Sequence, residues 1–569
     1  MTNDQSVEAG DDRRSNWLWR VLWHRQFEHY PDNGPRYQNL ALVIVVTITL
    51  YYQFYIAGAV APSILRHFGI SFTEFVNMMV VANAVGAFSS LLAGLADRWG
   101  RANMVVGGLG LASLLTLFGL PNAPDMWSFA TIYAVIGFVQ GIILVATPAL
   151  VRDFSPQLGR ASAMSFWTLG PVVGSLVVAE VSSHTLPVLP HWQDQFVIAG
   201  IVGLVVFAGA LFGLRDLSPG LRDQLMVSLH DRALIDAKAD KVDVKAALRH
   251  PWLEMLHFDI VGSALAIALF LLIYFTMVSF LVIYLTTTYG FSEVQAAALG
   301  NWFWAFDAVA LLVVGFLSDW LDVRKPFMLL GALGTIALTI LFLLTADHPA
   351  TGWYLLAVIL TLLAICLAAV FAPWMASFTE TIERRNPAAT AHGLAIWGWI
   401  LRSVVAVAFF VLPLIVHSVT PLVEHGARVN DLETALANQL ATIQEAPELF
   451  ARLRQYPPGG APPQLQQELA QKVGPTALAD VENARPQLEY LRKYGPIVHQ
   501  AENQAPGQWE TWWWVCAAGQ VVFLPLVFFM AGYWLPRKAH QEAEEHEREV
   551  DRQMDSLSGS RSSGGAAEF

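Results

Sequence analysis

Cysteine is nearly absent from this 569-residue chain. The two present, Cys366 and Cys516, both fall inside apolar stretches, which argues against a disulfide framework and a thiolate metal cluster. Charge is scarce as well: Asp, Glu, Lys and Arg make up 14% of the residues, against about 25% in a typical soluble domain. No Gly-x-x-x-x-Gly-Lys-Ser/Thr phosphate loop occurs, so ATP hydrolysis is not expected to drive the protein within this chain. No nucleophile triad and no metal-ligand spacing is present, so neither an enzyme nor a cofactor is expected. The net charge is −12, with 34 basic and 46 acidic residues. The acidic excess sits in the tails and one long loop, and no basic face for nucleic acid remains. The first 38 residues are charged and lack a small-residue cleavage site after an apolar core, unlike a cleavable signal peptide.

Hydrophobic sequence is abundant, at 55%. A bilayer core of about 30 Å needs roughly 20 apolar residues as helix. Runs of that length predict twelve spans: 39–66, 74–96, 103–121, 127–151, 161–182, 195–215, 259–289, 294–318, 327–346, 352–379, 391–417 and 510–534. Lys and Arg follow the even spans: Arg98 and Arg101; Arg152 and Arg160; seven residues between Arg215 and Arg249; Arg324 and Lys325; Arg384 and Arg385; Arg537 and Lys538. The short loops after spans 3, 5, 7 and 9 carry neither residue. By the positive-inside rule the basic side is cytoplasmic, and both termini lie on it. The expected setting is the cell's inner (plasma) membrane.

Seven parts follow. Residues 1–38 form a cytoplasmic segment in which Trp alternates with Arg over 15–36, the pattern of an interfacial helix. Residues 39–215 are a six-helix bundle, and 216–258 a cytoplasmic linker with a helical patch at Leu221–Leu229. Residues 259–417 carry spans 7 to 11, and 510–534 complete the second bundle as span 12. Between them, 418–509 is a polar extracytoplasmic insertion with helical stretches near 428–455 and 476–505. It is long for a connector; it is a solvated cap, or it docks an extracytoplasmic partner or gates the protein. The tail 535–569 is charged, then Ser/Gly-rich.

The two halves repeat. Gly94-Leu-Ala-Asp97-Arg98-Trp-Gly100-Arg101 after span 2 matches Gly315-Phe-Leu-Ser-Asp319-Trp-Leu-Asp-Val-Arg324-Lys325 after span 8, 222 positions on. Ala161–Trp167 in span 5 aligns with Ala391–Trp397 in span 11, and Pro148 in span 4 has Pro373 as its counterpart in span 10. The fold class is therefore an all-α integral membrane protein of twelve helices in two six-helix parallel repeats, the build of one large class of secondary transporters.

On these motifs the chain resembles the major facilitator superfamily, whose loop signature is Gly-x-x-x-Asp-Arg/Lys-x-Gly-Arg/Lys-Arg/Lys. The first copy matches at Asp97, Arg98, Gly100 and Arg101 and departs at Ala93 and Ala102. The second matches at Gly315, Asp319 and Arg324, with Lys325 one place beyond; Trp320, Asp322 and Val323 replace a basic residue, a Gly and a basic residue. The resemblance implies alternating access through a central cavity, with these loops latching the halves on the cytoplasmic side. Asp97 is placed to accept hydrogen bonds at a helix N-terminus, where the dipole is positive. Gly170-Pro171-Val-Val-Gly174 in span 5 resembles part of a motif of proton-driven exporters in the same superfamily. Helix packing through small residues explains it equally well.

Ionisable residues inside spans are expensive and usually functional. Asp307 lies 12 residues before Asp319, roughly 18 Å along span 8, and Arg402 lies 11 residues after Ala391, roughly 16 Å into span 11. Both are near the midplane, as an ion pair or as flanks of a substrate site. A guanidinium suits bidentate capture of a carboxylate or phosphate; Asp307 is the candidate proton-coupling group. Tyr51, Gln53, Tyr55, Asn83, Gln140, Trp167, Tyr274, Asn301 and Trp397 are further candidates to line the site. The first half has no mid-span carboxylate to attract a cation. The reading is a proton-coupled transporter of a small organic anion. The alternatives are a proton-driven drug or metabolite exporter and a non-transporting sensor or scaffold that uses 418–509.

Overall fold

In the computed structural model, residues 25–90, 100–154, 160–217, 255–385 and 390–538 are described, apart from a few single positions. Among the described residues, eleven helices are long and apolar enough to cross a membrane. They fall on spans 1 to 11: Asn33–Ala59, Phe72–Ser90, Arg101–Gly119, Met126–Phe154, Arg160–Thr185, Trp192–Gly213, Phe258–Tyr289, Glu293–Trp320, Lys325–Thr345, Trp353–Arg385 and Thr390–Ile415. Span 1 breaks at Val60 and continues as Ala61–Phe68; span 7 breaks at Leu271. Span 12 is the end of a 42-residue helix, Arg485–Leu526. Its hydropathy is lowered by Trp509, Trp512, Trp513 and Gln520, which face inward. Trp512 Nε1 donates to Thr276 Oγ1 of span 7 at 3.1 Å, and Gln520 Nε2 to Thr339 Oγ1 of span 9 at 3.0 Å.

The duplication is visible in the packing. The halves meet along two seams, span 5 on span 8 and span 2 on span 11, while span 1 crosses span 7. Adding six to each number exchanges the two seams, as a two-fold relation between repeats requires. The loops repeat too. Gly100 has φ +90°, and Asp322, its counterpart 222 residues on, has φ +52°, the one left-handed non-Gly residue among those described. Asp tolerates that conformation better than most side chains. Pro148 and Pro373 both sit inside helices, spans 4 and 10.

The interfacial helix expected within 15–36 falls mostly on residues 15–24, which lie outside the described residues; of the rest, Gln26–Phe27 are extended and pair in parallel with Asp216–Leu217. Asp216 N donates to the Arg25 carbonyl at 2.7 Å, and the Asp216 carboxylate accepts from the Arg101 N–H at 2.9 Å, capping the start of span 3. A carboxylate at a positive helix end thus clasps three segments together. The patch 221–229 lies outside the described residues. The insertion also has more helices than its pattern suggested: Ala427–Ala435, Ala437–Glu445, Pro447–Leu453, Pro463–Val473 and Pro475–Asn483 precede the long one. Proline at the first turn starts three of them.

Candidate functional site

Between the halves lies a cavity of about 100 Å³, room for several waters or a small ligand. Spans 1, 2, 4, 5, 7, 8, 10 and 11 all contribute to its wall. Tyr51, Tyr55, Asn83, Gln140, Trp167, Tyr274, Asp307, Trp397 and Arg402 line it. Two expected residues do not. Gln53 turns into the first bundle, where its Nε2 donates to Ser113 Oγ at 2.9 Å and the Ala199 carbonyl at 3.3 Å. It sits two residues from Tyr51 and Tyr55, on the other face of the helix. Asn301 bridges the seam instead, its Nδ2 donating to Ser183 Oγ of span 5 at 3.1 Å.

Arg402 is 7% exposed and projects across the interface from span 11 into the first half. Its Nη2 donates to Gln140 Oε1 at 3.2 Å. Neither Arg402 Nε nor Gln140 Nε2 has a hydrogen-bond partner. A buried unpaired donor is costly, so these two are unsatisfied donors at the cavity wall. Asp307, 2% exposed, lines the same cavity and forms no ion pair with Arg402. Of the two sequence readings, the paired one is not adopted. Gly86 was missed by the sequence reading. A β-carbon there would collide with Arg402 Nη1, so the guanidinium reaches Gln140 only because span 2 has no side chain at that point. A glycine near a seam gives no sequence signal of that task.

Contacts between the halves flank the cavity at both ends. At one end the rings of Trp167 and Trp397, equivalent positions of spans 5 and 11, meet edge-on at 6.0 Å. Trp167 Nε1 donates to Thr147 Oγ1 of span 4 at 3.3 Å. On the opposite side Arg66 Nη2 lies 2.7 Å from Glu293 Oε1, and Ser63 Oγ donates to the same oxygen at 2.7 Å. The Phe72 N–H donates to Thr420 Oγ1 at 2.9 Å, which ties the start of the insertion to span 2. At Gly58 span 1 runs so close to span 7 that a β-carbon would stand 2.7 Å from the Val278 carbonyl.

Gly170 and Gly174 let span 5 close on span 1: a β-carbon at Gly174 would lie 2.6 Å from Tyr51 Cβ, and one at Gly170 would strike Thr47. Pro171 lines the cavity. Asp97 and Arg98 lie outside the described residues; Gly100 leads into span 3, and Arg101 opens it on Asp216. In the second loop motif Arg324 Nη2 bonds Asp319 Oδ1 at 2.8 Å and Glu380 Oε1 at 3.1 Å, and Nη1 bonds Ser318 Oγ at 2.8 Å. Lys325 Nζ donates to the Phe528 carbonyl at 3.2 Å. Gly315 is buried in span 8. These described contacts tie spans 8, 10 and 12 within the second half, not across the interface. Arg324 lies beside span 10, so its Nη2 reaches Glu380 as well as Asp319 of its own motif.

The Major Facilitator Superfamily family model matches residues 43–429. A probable nitrate/nitrite transporter of Mycobacterium tuberculosis is 27% identical over 364 residues, 62% of this chain and 82% of that protein. A gallate transporter of Pseudomonas putida is 28% identical over 185 residues, 31% of this chain and 40% of its own length. A phosphoglycerate transporter protein of Salmonella typhimurium is 23% identical over 310 residues, 53% and 65% of the two chains. Among solved structures, a bacterial homologue of the human lysosomal transporter Spinster, inward-facing and occupied, superposes with a TM-score of 0.53 at 16% identity, covering 87% of this chain and 97% of that one. A D-xylose–proton symporter gives 0.50 at 14%, covering 67% and 90%. The matched model spans more than half of the chain, and both solved structures share its helical fold: this chain is a member of the major facilitator superfamily, a multi-pass membrane transporter and not an enzyme.

Proposed function

We propose that this protein carries a small organic anion, a carboxylate, across the membrane by alternating access and couples that movement to protons. The observation that carries the reading is Arg402: a buried guanidinium at the wall of a cavity between the halves, with Nε unpartnered. A carboxylate there would satisfy the free donors of Arg402 and Gln140 and neutralise a charge that is costly inside the membrane. Anionic cargo is also common to the named relatives, one each for nitrate or nitrite, gallate and phosphoglycerate. Tyr51, Tyr55, Asn83, Tyr274, Trp167 and Trp397 complete the cargo's surroundings. Because Arg402 belongs to one half and Gln140 to the other, an anion held between them feels both halves, which is what a cargo-driven rearrangement needs.

Asp307 is the proton site. It lines the cavity without an ion-pair partner, so protonation there is answered by the cargo and not by a fixed cation. The loop motifs around Asp97 and Asp319 hold the cytoplasmic side. The Lys and Arg distribution puts both termini in the cytoplasm and 418–509 outside, in an inner or plasma membrane. The test of coupling is Asp307→Asn in proteoliposomes. Uptake of a labelled carboxylate driven by a pH gradient is expected to fall at least tenfold, while counterflow at equal pH persists. Gradient-driven uptake at the wild-type rate overturns the assignment of the proton to Asp307.

A further inference from the structure

A second and larger cavity lies in the insertion, outside the membrane core. It measures about 690 Å³ and is bounded by the helices Ala427–Ala435, Ala437–Glu445, Pro447–Leu453, Pro475–Asn483 and Arg485–Leu526. That volume is in the range of sites for drug-sized ligands. The apolar residues of the insertion form two clusters, one around Phe450, Leu465 and Leu469, the other around Val429, Leu491 and Val498. The cavity opens where these clusters fail to merge, with Leu440, Ile443, Phe450, Leu453 and Leu488 in its wall. Protein interiors are otherwise close-packed.

Its charged rim is unevenly satisfied. Arg485 is tied to the Arg454 and Tyr456 carbonyls and lies 3.6 Å from Glu489. His499 is held between Glu433 at 2.8 Å and Glu502 at 3.1 Å. The guanidinium groups of Arg454 and Arg492 form no ion pair and no side-chain hydrogen bond, and both line the cavity. Glu482 is the counter-charge left on the rim.

Gly495 supplies an independent observation. It is buried in the middle of the helix Arg485–Leu526 and lines the cavity. Glycine weakens a helix relative to alanine, and packing does not demand it: a β-carbon would meet only Glu433 Oε1, at 3.9 Å. The following Pro496 does not demand it either, since Ala505 and Leu524 precede Pro506 and Pro525 in the same helix. What the missing side chain leaves is open space inside the cavity.

We infer that the insertion carries a second ligand site, in which an amphipathic organic anion lays its apolar body between the two clusters against Gly495 and sets its acid group on Arg454 and Arg492. The site is independent of Arg402 and of the central cavity. A free anion from solution and an anionic lipid share this chemistry, so the test uses nanodiscs of zwitterionic lipid only and a soluble probe, 2-naphthoate, followed by titration calorimetry with empty nanodiscs subtracted. The full chain carries Arg402→Ala throughout, to remove the central site. Saturable binding is expected, weakened at least tenfold by Gly495→Leu, which fills the space, and likewise by Arg454→Gln with Arg492→Gln, a surface pair that does not disturb packing. Adding anionic lipid to the discs leaves the titration unchanged if the ligand comes from solution, and competes with the probe if the site takes lipid. Absence of saturable binding, or equal affinity in the Arg454/Arg492 double variant, overturns the inference.

Discussion

Replacing Glu293 by Gln removes the charge that faces Arg66 across the two halves, at the end that the proposed orientation places outside. The geometry sets the size of the effect. Arg66 and Glu293 are 2.7 Å apart, and the same oxygen holds Ser63, but the Arg66 side chain is 46% exposed and that of Glu293 15%. A solvent-exposed pair is worth about 0.2–1 kcal/mol, and a hydrogen bond to a charged group about 1.5–3 kcal/mol. A half-buried pair lies between, near 1–2 kcal/mol, a factor of about 5–30 in an equilibrium. Glu293 also stands in the first turn of span 8, where the helix dipole favours it. That benefit is present whether the halves are open or closed, so its loss does not move the balance. Glu293→Gln should therefore raise the population open to the outside about 5- to 30-fold. The assay is labelling of Ser279→Cys, a position lining the cavity, by an impermeant thiol reagent added from outside, with Cys366 and Cys516 replaced by Ala. Arg66→Glu combined with Glu293→Arg should return labelling toward the starting rate. Unchanged labelling in Glu293→Gln, or a charge-swapped pair that labels as fast as the single variant, would refute the outer closure.

Other outcomes follow from individual contacts. Gly86→Ala is expected to weaken cargo affinity about 10- to 100-fold by pushing Arg402 off Gln140, from the roughly 1.5–3 kcal/mol of a hydrogen bond to a charged group; Gly398→Ala, where a β-carbon meets nothing within 4 Å, should leave affinity unchanged. In the insertion, hydrogen bonds from the His499 imidazole to the Glu502 and Glu433 carboxylates hold it above its ordinary pKa. A raised folded value means the pair stabilises fully below the unfolded pKa of about 6.5 and loses its effect as pH rises through the folded value. The melting temperature of wild type should thus exceed that of His499→Gln at pH 5.5 and converge with it at pH 8.5; a constant difference across that range would contradict the assignment.

Much of this fold was legible because a membrane restricts the options. Length and hydropathy suffice to find eleven spans, and the Gly-Asp-basic loops reveal the duplication. Span 12 was legible by position, yet its inward Trp and Gln residues make it less apolar than the rest. That Arg402 and Asp307 lie well inside their helices followed from helical rise alone. Facing was harder: Gln53 shares a stretch with Tyr51 and Tyr55 but points into its own bundle, and Asn301 bonds Ser183 instead of lining the cavity. Contacts between residues far apart in sequence were not legible. Glu380 on Arg324, Asp216 on Arg101 and Gly86 beneath Arg402 each depend on how helices meet. The six helices of the insertion were blurred into two because they are short and half-exposed, with apolar faces too narrow for periodicity to resolve.

The central claim is that Arg402 holds the anion. Its most direct test is uptake of a panel of small labelled carboxylates by proteoliposomes, comparing wild type with Arg402→Ala and Arg402→Lys, each checked for folding by its melting temperature. The account predicts saturable uptake by wild type, loss in Arg402→Ala, and weakened but measurable uptake in Arg402→Lys, which keeps the charge without the two-pronged donor. Uptake by a folded Arg402→Ala at the wild-type rate would contradict it.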